Sequence, residues 1–280
     1  MLNEFNHFLP EDRYNNTILD DGWELNPDAY LGTIVHVFPE NFTTSKTLTV
    51  KGENFPGFIP ENELSIYPID YFVGSTIPKF LPTVMKSCRV TAIIIGYENG
   101  RFVLSRKKSM EQALQNIAYN QIIMCSKVAT TYGSAFVDIG GGINAIIPSH
   151  EISNCIIESA TNYFKDLHYF PCLILEESHT YKNKFVVSYK KVAPQLDISV
   201  GSKIKGKVTG LTNDSTGAYV ELSPSQFGIL DLGSLTVGYN DCSDLTFFRD
   251  YDFIVTKIRL YHVEENAFIR KVYSLALVDY

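Results

Sequence analysis

Few residues in this chain have the types and spacing that covalent chemistry needs. The five cysteines (Cys88, Cys125, Cys155, Cys172 and Cys242) stand apart with no CxxC pair, and no short-spaced histidine completes a zinc site. An odd number of scattered cysteines fits free thiols in a reducing compartment. Neither HExxH nor GxSxG occurs, and the aspartates and glutamates are spread over loops. Gly140-Gly141-Gly142 could suggest a phosphate-cradling loop, but it falls between two strands with no Lys-Ser/Thr and no helix behind it. A β turn is the reading this pattern supports. His36, near the end of a first strand, reads as structural. No enzyme, metal or cofactor is expected. What remains is binding chemistry: 18 Phe and 17 Tyr, with Arg106-Lys107-Lys108 and Lys190-Lys191 following two strand ends.

The elements that would position these residues repeat. Gly57-Phe58-Ile59-Pro60 leads to Phe102-Val103-Leu104-Ser105, and Ala145-Ile146-Ile147-Pro148 leads to Phe185-Val186-Val187-Ser188. A blurred third copy runs from Gly228-Ile229-Leu230-Asp231 to Val272-Tyr273-Ser274. The offsets between copies lie between 83 and 88 residues, about the size of one small domain, and such a period outweighs any single residue in choosing the fold. Each unit reads as five short strands rich in Val, Ile and aromatics, with a longer crossing between the third and fourth. Asn99-Gly100 supplies a tight hairpin turn. Ser109–Asn116 has helix-forming composition with Ser109 as its cap, and reads as a helical link.

The expected organisation is an acidic leader over residues 1–29, then units over 30–115, 116–196 and 197–280. The leader carries a net charge of −6, the three units +2, 0 and −3, so most of the total of −7 lies in the leader. The leader reads as loosely structured or disordered, with at most a short docking segment around Trp23. The N-terminus lacks a basic start and apolar run, and no apolar stretch reaches membrane-spanning length. A cytoplasmic monomer that avoids the membrane is expected.

Ala135-Phe136-Val137-Asp138-Ile139, the glycine turn, and Asn144-Ala145-Ile146-Ile147-Pro148-Ser149-His150 together resemble the core signature of the S1 RNA-binding domain. Gly217-Ala218-Tyr219-Val220 is similar, as are the strand endings in Ser plus basic residues. The resemblance covers about residues 30–280. It implies an all-β chain of three tandem five-stranded OB-fold barrels of S1 type with short helical connections, each with a ligand face on its second and third strands.

In that family RNA rests on strand-two and strand-three aromatics, a His after strand three and a base opening strand five. Carried over, Phe136 takes the aromatic place in the second unit, with Tyr132 near the preceding one. Lys184 matches the base, Pro148 stands at the His position, and His150 lies two residues later. In the third unit Tyr219 takes the aromatic place, Asp231 the His position, Arg270 and Lys271 the basic end, and Tyr273 lies on the same strand. The first unit has Leu48 and Pro60 at those positions, keeps Arg101, and lacks the stacking face.

Aromatic platforms beside a basic track suit single-stranded RNA, whose bases stack for roughly 1–3 kcal/mol each. The resemblance therefore implies an RNA-binding protein of translation or RNA metabolism, with mRNA as the expected ligand. The first unit and leader would dock on protein, notably the small ribosomal subunit. The rival reading is a protein-interaction adaptor whose barrels no longer bind RNA, favoured by net acidity and the missing His. A weaker one is an accessory subunit of a nuclease or transcription complex.

Overall fold

The computed structural model describes residues 9–11, 14–44, 46–67, 89–157, 159–177, 185–212, 216–235, 241–263 and 268–278. Fifteen strands close into three five-stranded barrels. The first contains β1 (Ile34–Phe42), β2 (Thr47–Lys51), β3 (Pro56–Pro60), β4 (Val90–Glu98) and β5 (Arg101–Ser105). The second contains β6 (Ile122–Thr130), β7 (Ser134–Asp138), β8 (Asn144–Pro148), β9 (Tyr169–Glu177) and β10 (Phe185–Ser188). The third contains β11 (Lys203–Leu211), β12 (Gly217–Ser223), β13 (Gln226–Asp231), β14 (Asp250–Val263) and β15 (Phe268–Leu277). In each, the third strand lies beside the fifth and the fifth beside the fourth. The third and fifth strands run parallel in the first and third barrels. This is the OB arrangement the repeats imply.

By packing, the chain forms two compact units. One comprises Met1–Ser126, Val137–Ala145 and Glu176–Phe185; the other comprises Lys127–Phe136, Ile146–Leu175 and Val186–Tyr280. The division runs through the second barrel.

Period-two alternation builds the cores. In β2, Leu48 and Val50 are buried while Thr47 and Thr49 are half-exposed. Asn99 and Gly100 both take positive φ, closing the β4–β5 hairpin as the dipeptide demands. The helical link is α1 (Arg106–Leu114), and it starts three residues earlier than expected. Ser105, the last residue of β5, caps it by accepting from the Lys108 N–H at 3.0 Å. Ser109 is instead buried in the first turn, where its hydroxyl donates to the Thr91 carbonyl at 2.6 Å.

The described part of the leader is built into the first barrel, which overturns the expectation of a loose tail. Leu19 and Trp23 are members of the barrel's core cluster, and Trp23 is 6% exposed. Its indole lies 5.0 Å from Phe102 and meets Phe55 and Tyr97 edge-on. Asn54 holds the segment from both sides: it accepts from the Leu19 N–H and donates to the Leu19 carbonyl, while its own carbonyl accepts the indole N–H at 3.2 Å. Upstream, the Thr17 N–H donates to the His36 carbonyl and the Thr17 hydroxyl accepts from the His36 N–H. Tyr14 stacks on the His36 ring at 3.7 Å. Burial lowers the His36 pKa to about 4.

Glu11 carries the leader further into the same unit. Its carboxylate accepts two bonds from the Arg106 guanidinium, both at 2.8 Å, and one from the Thr91 N–H. Its own N–H donates to Asp138 Oδ2 at 2.7 Å. Asp138 Oδ1 in turn accepts from the N–H groups of Gly140 and Gly142. Burial, together with the charge of Glu11, pushes the Asp138 pKa up to about 7 against these bonds and Arg106. The triple glycine is thus a turn, as its position between strands suggests, and it wraps a carboxylate. Gly142 has φ +79°, and a Cβ there would lie 2.1 Å from Arg106 Nη2 and 3.0 Å from Glu11 Cδ, so a side chain would strain the turn and displace the buried ion pair.

Candidate nucleic-acid interface

The outer face of β7 in the second barrel gathers several of the residues the family pattern points to. Ala135 and Val137 turn into the core, which leaves Phe136 half-exposed on the outward side between them. Tyr132 sits in the short connection from β6 to β7 and is 72% exposed. The Ser149 N–H donates to the Gly133 carbonyl, so α2 (Ser149–Ile152) begins beside that connection. This places His150, which is exposed, near Tyr132. The Tyr189 N–H donates to the Glu151 carbonyl, and the Lys190 ammonium donates to the His150 carbonyl. Lys191 is exposed next to it.

Tyr132, His150, Lys190 and Lys191 are therefore brought together at the start of α2, and Phe136 stands on the strand that follows Tyr132. Lys190 and Lys191 follow the end of β10. The neighbouring contact that gives them a place, from Tyr189 to α2, pairs residues 38 positions apart. Lys184, the base expected to open strand five, lies outside the described residues.

The third barrel does not repeat this arrangement. Tyr219 does point outward from β12, between buried Ala218 and Val220, and is half-buried like Phe136, but its face is partly covered. It packs with Ile229 against a buried cluster of Cys155, Phe227 and Val272. The cover is the segment that follows α2 together with α3 (Ala160–Tyr163). The Asn154 N–H donates to the Pro224 carbonyl and its amide to the Ser225 carbonyl. The Thr209 hydroxyl donates to the Ile156 carbonyl and lies 3.0 Å from Cys155 Sγ. The Tyr163 hydroxyl reaches both carboxylate oxygens of Glu221, at 2.9 and 3.1 Å. Burial raises the pKa values of both Tyr163 and Glu221, which favours a neutral phenol as the donor.

Tyr273 requires a correction. It is 1% exposed and belongs to the core of the third barrel, where its hydroxyl accepts from the Gln226 amide at 3.2 Å. The physical reason is strand parity: Val272 faces the cluster under Tyr219, so its neighbour Tyr273 turns inward. Lys271 is exposed on the side of β15 opposite Val272, so it is not paired with Tyr219 as the family pattern implied. Arg270 stands in the register opposite Tyr261 of β14. In the first barrel Leu48 is buried and Arg101 exposed, while Phe58 of β3 is half-buried on the outward side between buried Gly57 and Ile59.

Among the described residues no group of three or more His, Cys, Asp or Glu could hold a metal ion, and no helix is long and apolar enough to cross a membrane. Cys125, Cys155, Cys172 and Cys242 are buried thiols outside any disulfide; Cys88 lies outside the described residues. No protein-family model and no curated protein matches the chain. Solved structures with a similar arrangement include the crystal structure of a multidomain protein with nucleic acid binding domains from Streptococcus pneumoniae TIGR4. The TM-score is 0.27 at 10% identity, over 90% of this chain and 75% of that one. A likeness this distant leaves the functional reading to the residues themselves.

Proposed function

We propose that this chain binds single-stranded RNA on the outer face of the second barrel. It acts as a binder without catalysis, and its setting is translation or RNA metabolism in the cytoplasm, as a monomer with mRNA as ligand. The observation that carries the reading is outward-facing Phe136 on β7, four residues after exposed Tyr132, with His150, Lys190 and Lys191 gathered at the start of α2. Flat rings offer stacking to any base, and the adjacent ammonium groups offer charge to the phosphates between bases. Sequence preference should be slight, because every base has a face to stack. The small ribosomal subunit, engaged through the first barrel, is the proposed protein partner.

A protein-interaction adaptor is the second reading. It is favoured by the third barrel, whose equivalent face is packed against polypeptide. Fluorescence anisotropy with a labelled unstructured RNA, at two salt concentrations, separates the two. A binder loses affinity as salt rises, through counterion release, and duplex RNA competes poorly. An adaptor shows no binding even at low salt.

A further inference from the structure

β14 and β15 are longer than the barrel they belong to. β11 pairs with β14 only over Asp250–Ile254, and β13 pairs with β15 only at Tyr273, Ser274 and Leu275. The two strands nevertheless remain paired with each other as far as Val263 and Phe268. The core-facing side shows where the barrel stops. Ile258 still packs against the core opposite buried Tyr273, whereas Leu260, the next residue on that side, is 59% exposed opposite Lys271. Beyond that point the pair is a two-stranded ribbon, with no third strand on either edge among the described residues. Arg259–Val263 carries it about 13 Å further at the usual rise per residue.

The stem of this ribbon is basic. Lys257, Arg259 and Lys271 are exposed, and Arg270 lies in register opposite Tyr261. Within Lys257–Val263 and Phe268–Ser274 there is no aspartate or glutamate. Alternation divides the cations between the two faces. Lys257 and Arg259 share the side of Val272, while Lys271 shares the side of Leu260. Residues 264–267, which include Glu264 and Glu265, lie outside the described residues and are not part of the site.

A rod with cations on both faces matches two facing rows of phosphate better than one. A single strand presents one such row, whereas a duplex groove presents two, and the wide minor groove of an RNA helix leaves room for a ribbon. We propose that the β14–β15 ribbon is a duplex-gripping arm that contacts the phosphates of an RNA helix flanking the single-stranded segment. This rests on the single-strand reading above and extends it: the ligand is a junction, with its unpaired part on the second barrel and its paired part on the ribbon.

The test uses the full chain and two labelled probes: an unstructured RNA tail of about 15 nucleotides, near the span of an OB-type site, and the same tail joined to an RNA hairpin. The tailed hairpin should bind roughly tenfold or more tighter than the tail, through effective concentration. Substituting Lys257→Gln, Arg259→Gln and Lys271→Gln together should remove that gain and lower the log–log salt slope by about two to three. Affinity for the bare tail should stay unchanged. All three side chains are exposed, so the fold should tolerate the change. Equal affinity for the two probes, or a gain that survives the substitutions, would overturn the arm. Loss of tail binding alone, with ribbon-dependent binding of the hairpin retained, would sink the single-strand site and leave the arm standing.

Discussion

Phe136 and Tyr273 are both aromatic residues on barrel strands, yet they have opposite roles because strand parity sets each one's direction. Phe136 projects outward between two small core residues, so truncation should cost binding and little else. Phe136→Ala is expected to weaken affinity for unstructured RNA by the worth of one stacked base, about 1–3 kcal/mol, with the melting temperature held. Tyr273→Ala should do the reverse, destabilising by roughly 3–5 kcal/mol as a large core truncation and leaving RNA affinity of the folded protein alone. Equilibrium denaturation and anisotropy on the same preparations check both. The difference between the two was only half legible in the sequence. Ala135 and Val137 flank Phe136 in a short unambiguous strand, whereas β15 reads apolar on both sides through Val272, Tyr273 and Leu275. Around Val272 and Tyr273 both faces are covered, one by the core and one by Cys155 and Phe227, and a doubly covered stretch carries no alternation to read.

At the scale of elements, the leader shows how an acidic, polar segment can be structural. Its few apolar residues, Leu19 and Trp23, enter the first barrel's core, and Glu11 meets a buried arginine. Nothing local announces this, because the partners Asn54, Arg106 and Asp138 lie far along the chain. Removing one member of the ion pair leaves a buried charge unmatched. Arg106→Met should therefore destabilise by about 3–5 kcal/mol, while Glu11→Leu combined with Arg106→Met should recover much of that loss. Denaturant midpoints for the two single variants and the double variant measure the coupling.

The strap along β1 also brings a pH dependence. The folded-state pKa of His36 is depressed to about 4, below its ordinary value near 6.5. Its contribution to stability is therefore present above pH 6.5 and is lost as pH falls toward 4. His36→Asn should flatten the fall in stability across that window. Fluorescence of Trp23, the chain's single tryptophan, reports the release of the leader directly. An unchanged profile in the variant would show that His36 does not drive it.

At the scale of the whole molecule, one fold is used three ways. The first barrel takes up the leader, the second presents aromatic and basic groups outward, and the third packs polypeptide over its strand-two face and extends a basic ribbon. The repeats made the three barrels legible, because each copy restates the same strands and turns. They could not distinguish the uses, which depend on long-range cover over each face. With the proposed stacking site on the second barrel, RNA too short to span more than one barrel should bind with a stoichiometry of one. Tyr219→Ala should leave that affinity unchanged, since its ring already packs against Cys155, Phe227 and Val272.

The central claim is the location of the RNA, and photo-crosslinking tests it most directly. Full-length protein would be irradiated with an unstructured RNA carrying 4-thiouridine, and the crosslinked peptides mapped. The account expects adducts within residues 128–150, at Tyr132, Phe136 or His150, and their loss on Phe136→Ala with Tyr132→Ala. Adducts concentrated on Tyr219, Phe227 or the first barrel instead would contradict it.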